Sequence, residues 1–111
     1  MTPAGMGGMG DMGQLMKQAQ DMQRKVAKVQ ADLKERIEEG SAGGGMVVAQ
    51  VNGAQEVVNV RIDPEVVDPD DVDMLEDLVL AAIRQAMEKS RELAQAEMAK
   101  ATGGLGLPGM F

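Results

Sequence analysis

The chain has 111 residues and a net charge of −7, with 44% hydrophobic residues and one aromatic, Phe111. That is room for one small domain. Cys, His, Trp and Tyr are all absent, which excludes a disulfide scaffold, thiolate zinc sites, histidine-activated nucleophiles and base-stacking aromatic platforms.

Residues 1–13 repeat Gly and Met without a helical or strand period and are expected to form a flexible tail. From residue 14 the pattern changes. Leu15, Ala19, Met22, Val26, Val29 and Leu33 are spaced 4, 3, 4, 3, 4, the seam of a helix predicted over residues 14–36. Most residues off that seam are polar or charged, so one narrow stripe is expected to be buried. GSAGGG at residues 40–45 ends the helix and reads as a linker.

Val47, Ala49 and Val51 then alternate with Val48 and Gln50, and Asn52-Gly53 follows. That dipeptide predicts a tight hairpin turn with positive φ at both positions. The return strand is expected to run to Ile62, where Asp63-Pro64 closes it. Asp68 suits a helix N-cap and Pro69 a first helical position. The last helix is thus predicted over residues 69–101. Its first half has a wide apolar face of Leu75, Leu78, Val79, Ala82, Ile83, Ala86 and Met87. After Met87 only a thin stripe through Leu93, Ala94 and Met98 continues. The acidic run DPDDVD departs from the calcium-loop pattern and reads as a helix cap rather than a metal site.

Two helices of about 35 and 50 Å are too long to be buried by one small sheet. A homodimer resolves this, with sheets and wide helix halves meeting centrally and thin helix pairs projecting as arms. Two-fold symmetry is the default for such an interface.

Charge is unevenly distributed. Residues 14–36 carry six bases against three acids, whereas residues 63–77 carry eight acids and no base. Lys17, Arg24 and Lys28 fall on one side of the first helix with Asp21 among them. Arg84 and Arg91 do the same on the last helix, with Glu88 between. Two readings fit: a solvated, salt-bridged face, or a surface that contacts phosphates without reading bases.

Several stretches together carry a resemblance. GQLMKQAQDMQRKVAKVQ, GGGMVVAQVNGAQEVVNVRIDPEVV and DVDMLEDLVLAAIRQAMEKSRELAQAEMAK resemble the YbaB/EbfC family of bacterial nucleoid-associated DNA-binding proteins. The resemblance implies an α+β fold: an α-β-β-β-α protomer with a small antiparallel sheet and two long helices, as an intertwined homodimer with projecting helical arms. It adds a short strand near residues 36–41, where the periodicity alone carries helix, and a helical turn at residues 65–67. It also implies duplex DNA as partner and a cytoplasmic, nucleoid location.

Carried onto this chain, the arm positions are Lys17, Gln18 and residues 24–28 on the first helix, with Arg84, Lys89 and Arg91 on the last. The expected DNA-binding set is therefore Lys17, Arg24, Lys25, Lys28, Arg84, Lys89 and Arg91. The expected organisation is a tail at 1–13, one domain at 14–102 and a second tail at 103–111. No membrane is expected, since no basic segment leads into an apolar run and none reaches spanning length; no cofactor, metal, small-molecule substrate or enzymatic activity is expected from a chain without Cys or His and with no catalytic constellation. The alternative is a protein-interaction adaptor or holdase that clasps a client between the arms.

Overall fold

A computed structural model describes residues 3–103, with side chains from Met12 onward. The elements run α1 (Pro3–Lys34), β1 (Ile37–Ala42), β2 (Val47–Asn52), β3 (Val57–Ile62), a 3-10 turn (Pro64–Val66) and α2 (Val72–Ala101). This is the α-β-β-β-α order expected from the resemblance, with both added elements present.

Helix α1 begins at Pro3 rather than at residue 14. Pro3 is compatible with a first-turn position, because its missing N–H has no intrahelical partner there. Glycine weakens a helix without blocking it, so the Gly/Met stretch continues the same helix. At the other end α1 stops at Lys34, and the amides of Glu35 and Arg36 bond back to Asp32 and Leu33 in a tightened last turn. The expected C-terminal tail lies outside the described residues beyond Gly103.

The three strands form one antiparallel sheet in the order β1-β2-β3. Strand β1 contains the first three residues of the predicted linker. Gly40 pairs with Ala49, and a Cβ on Gly40 would overlap the Ala82 carbonyl oxygen and the Ala86 amide of α2. The glycine thus lets helix and sheet backbones touch. Only Gly43, Gly44 and Gly45 behave as a turn, all at positive φ.

The β2–β3 turn also differs from the expected form. It is a three-residue loop, Gly53, Ala54 and Gln55, in which the Gln55 amide donates to the Asn52 carbonyl and the Asn52 amide to the Glu56 carbonyl. The left-handed residue is Gln55, at φ 68°, and neither Asn52 nor Gly53 is. A type I turn followed by a left-handed residue is the common three-residue hairpin solution. Gly53 is needed for proximity instead. Its amide donates to the carbonyls of Leu33 (2.8 Å) and Arg36 (3.0 Å), and an added Cβ would lie 2.6 Å from the Leu33 carbonyl oxygen. The hairpin tip caps α1.

Helix α2 starts three residues later than predicted. Asp68 begins a turn in which its side chain accepts from the Asp70 amide and its carbonyl from the Asp71 amide. Asp71 is the N-cap and accepts from the Met74 amide at 3.2 Å. The predicted end at residue 101 holds.

Val47, Ala49 and Val51 of β2 are fully buried under Ala82 and Ala86 of α2, with Val66 beside them. The opposite face mixes polar and apolar residues: Gln50 donates to Glu39 at 2.6 Å and accepts from Asn59 at 3.4 Å, with Ile37 and Val48 on the same face. Helix α2 lies over β1 and β2. The register puts Val57, Val60 and Ile62 on the same side as the core, past the edge of α2, where Val57 and Ile62 remain exposed.

Candidate nucleic-acid interface

Both long helices leave the sheet at the hairpin tip. Leu33 of α1 shares a groove with Gly53, Gln55, Ala94 and Met98. Arg36, just past α1, pairs with Glu97 of α2 at 3.5 Å. The thin stripes are half-buried, at Met22, Val26 and Val29 on α1 and at Leu93, Ala94 and Met98 on α2.

The root rests on a buried polar node. Ser90, fully buried, donates its hydroxyl hydrogen to the Asn52 carbonyl at 2.6 Å and accepts from the Gln55 side-chain amide at 2.7 Å. The Asn52 side chain accepts from the amides of Ala54 and Glu56, both at 3.0 Å. This node fixes the turn against α2, and the turn in turn caps α1. Nothing in the sequence pattern singled out Ser90, because a serine within an apolar helical stripe has no period of its own.

At 100° per residue, Lys17, Arg24 and Lys28 lie within about 40° of one another and opposite the Leu15–Leu33 seam. Lys25 is roughly a quarter-turn away. All four are exposed. Arg24 pairs with Asp21 at 3.0 Å and Lys28 with Asp32 at 3.1 Å, and these cations are about 75% and 77% accessible. Ion pairs this exposed are worth about 1 kcal/mol or less, so a phosphate can replace either carboxylate at little cost.

On α2, Arg84 and Arg91 stand two turns apart and line one shallow groove with Ile83, Met87 and Glu88. Lys89 is placed differently. Its Nζ donates to the Glu39 carbonyl of β1 at 2.9 Å, which ties it to the body of the domain. The structure thus gathers Lys17, Arg24 and Lys28 on one face and Arg84 with Arg91 on another, and sets Lys89 apart. The acidic run acts locally: Asp63, Asp68 and Asp71 each accept a backbone amide.

No helix among the described residues is long and apolar enough to cross a membrane. The fold matches the crystal structure of an uncharacterized protein from Helicobacter pylori with a TM-score of 0.74 and 22% identity, over 82% of this chain and 96% of that one. A nucleoid-associated protein of Clostridium perfringens is 55% identical over 95% of this chain and 94% of its own length. One of Alkaliphilus metalliredigens is 50% identical over 96% and 94%. One of Caldanaerobacter subterraneus is 49% identical over the whole of both chains. The profile of the YbaB/EbfC DNA-binding family matches residues 9–105, and the chain belongs to that family.

Proposed function

We propose that the protein is a nucleoid-associated, non-enzymatic DNA-binding protein of the cytoplasm that acts as a homodimer and grips duplex DNA through its phosphates. The observation that carries the phosphate reading is the basic face of α1. Lys17, Arg24 and Lys28 project from one side of a helix whose opposite side packs from Met22 to Leu33. Their acidic neighbours hold them only through solvent-exposed pairs. Such a surface supplies charge and donors without a rigid constellation for reading base edges. Arg84 and Arg91 are the proposed contributors from α2, and Lys25 lies at the margin of the α1 face. Lys89 adds charge at the body. The nucleoid location follows from what the relatives are named.

The homodimer is supported by what one chain leaves uncovered. The buried apolar residues among those described are Leu33, Val47, Ala49, Val51, Val66, Ala82 and Ala86, a small core. The accessible surface is 7917 Å², against about 5,900 Å² for a compact monomer of this mass. Val57, Val58 and Ile62 of the edge strand, with Met74 and Leu80 of α2, are exposed. An unpaired apolar edge of this kind calls for a second chain. The shallow apolar groove of Leu33, Ala94 and Met98 favours one further reading, a client clasped at the arm root.

The test is fluorescence anisotropy with a labelled duplex and a scrambled duplex across a salt series. Backbone-dominated binding gives equal affinities and a steep salt slope. Replacing Arg24, Lys25 and Lys28 with Glu is expected to abolish binding while leaving the fold and dimer intact. Unchanged affinity in that variant rejects this surface, and no binding at low salt moves the assignment to the clasped client.

A further inference from the structure

The two long helices reach different distances from the sheet. Leu33 of α1 lines one groove with Ala94 and Met98 of α2. From Ala94 helix α2 runs about 10 Å further to Ala101, where Thr102 caps it. Helix α1 runs about 32 Å from Leu33 back to Met12. Burial follows this difference. Leu33 is buried and Met22, Val26 and Val29 are half-buried, whereas every residue from 12 to 20 is exposed. Met12, Leu15 and Met16 are each 62% accessible. Charge changes at the same boundary. Residues 21–36 carry eight charged side chains, and residues 12–20 carry only Lys17. A helix committed to water alone has no reason to shed its charges where its apolar stripe lies open.

The open stripe keeps the heptad register of the packed one. With Val26 and Leu33 at a and Met22 and Val29 at d, Met12 and Ala19 fall at a and Leu15 at d. A narrow seam of this spacing is what a second helix packs on. The flanking e and g positions Met16, Gln18 and Gln23 are uncharged, so no like charges oppose a copy of the same helix. Lys17 and Arg24 fall at f, on the far side. The open seam has two limits. Beyond Met12 its next a and d positions are Gly5 and Gly8, and inward of Met22 it packs within its own chain. Between these limits an antiparallel copy brings Leu15 of each chain against Ala19 of the other, long against short, and Met12 against Met22. A parallel copy in register sets alanine against alanine and leaves a gap.

We infer that the outer stripe of α1, from Met12 to Met22, pairs antiparallel with the same stripe of a second copy and joins two molecules arm to arm. Three turns of helix bury well under the roughly 800 Å² per partner of a stable interface, so the contact forms at high local concentration and dissolves on dilution. It is separate from the edge strand Val57–Ile62. Lys17, Arg24 and Lys28 stay in water on the opposite side of the helix, and the inference stands independently of the DNA reading. Combined with that reading, it brings two bound duplexes together.

The chain has no Cys, so single cysteines report the contact in the full-length protein. Leu15→Cys and Ala19→Cys proteins, mixed at high concentration and oxidised, are expected to give the mixed disulfide well above its statistical share, resolved by mass. Lys17→Cys, on the far side, is expected to cross-link several-fold more slowly. An excess of the Leu15→Cys homodisulfide identifies a parallel pair and overturns the inference. A statistical mixture, no disulfide, or equal cross-linking at position 17 overturns it as well. Sedimentation velocity checks the pairing without a cysteine. From micromolar to millimolar protein, the wild type is expected to add an association step that the Leu15→Glu, Met16→Glu double variant lacks, with helix content unchanged by circular dichroism. Identical sedimentation of the two proteins at every concentration counts decisively against the pairing.

Discussion

The Ser90 hydroxyl, buried midway along α2, donates to the main-chain carbonyl of Asn52 at the end of β2, 2.6 Å away. This bond ties the hairpin to α2 at the level where the two long helices separate from the sheet. Gly53, the next residue, caps α1. Three elements therefore meet within two residues of one hydrogen bond.

Replacing Ser90 with Ala removes one of the two bonds to the Asn52 carbonyl, which keeps the Gln55 main-chain amide, and leaves the Gln55 side-chain amide only a 3.4 Å contact with the Gly53 carbonyl. Lost buried hydrogen bonds of this kind cost about 0.5–1.5 kcal/mol. We expect the Ser90→Ala protein to unfold earlier in urea by that amount, with an unchanged denaturant slope.

Gln55 has a left-handed backbone at φ 68°, a conformation that costs a non-glycine residue roughly 1–2 kcal/mol. Gln55→Ala and Gln55→Gly both remove the bond to Ser90, and only the glycine relieves the backbone. The Gly variant is expected to be the more stable of the two by about 1 kcal/mol, read from paired denaturation curves.

At Gly40 a methyl group would overlap the backbone of α2 at Ala82 and Ala86, which cannot move like a side chain. Gly40→Ala is expected to cost about 3 kcal/mol or more. Thermal unfolding by calorimetry checks this, and a near-neutral result removes the close helix–sheet contact as a determinant of the fold.

On the edge strand, Val58 and Ile62 are exposed in one chain. Replacing both with Lys places charge on the proposed dimer surface while touching no core residue. Sedimentation is expected to report a monomer, with DNA affinity falling more than tenfold as paired arms are lost. A dimer of wild-type strength moves the interface elsewhere.

The helices were legible because their apolar spacing is local. The seam from Leu15 to Leu33 predicted which side of α1 packs, and Leu33, Val29 and Val26 obey it. Strand β1 was illegible in the residue pattern and came only from the family resemblance: IEEGSA has neither alternation nor β-branched richness, and it becomes a strand because Gly40 lets α2 approach. Asn52-Gly53 marked the turn correctly for a reason that does not apply. Its glycine serves contact with α1, and the left-handed residue is Gln55. Asp68 was the expected cap, but it closes a turn of its own, and the helix is capped by Asp71 instead. For the candidate interface, helical spacing grouped Lys17, Arg24 and Lys28. It could not show that Lys89 reaches back to the Glu39 carbonyl, a contact fifty positions away.

The capping of α1 by Gly53 also has a mechanical meaning. Lys17 sits sixteen residues from Leu33, so a pivot at the hairpin tip of only 10° sweeps its Cα through roughly 4 Å on a lever of about 24 Å. Small angular play at one glycine is magnified into a displacement larger than the roughly 1.7 Å axial interval between charges on a duplex. On the proposed reading, in which the arms grip a duplex, the stiffness of that pivot sets how wide a helix they span.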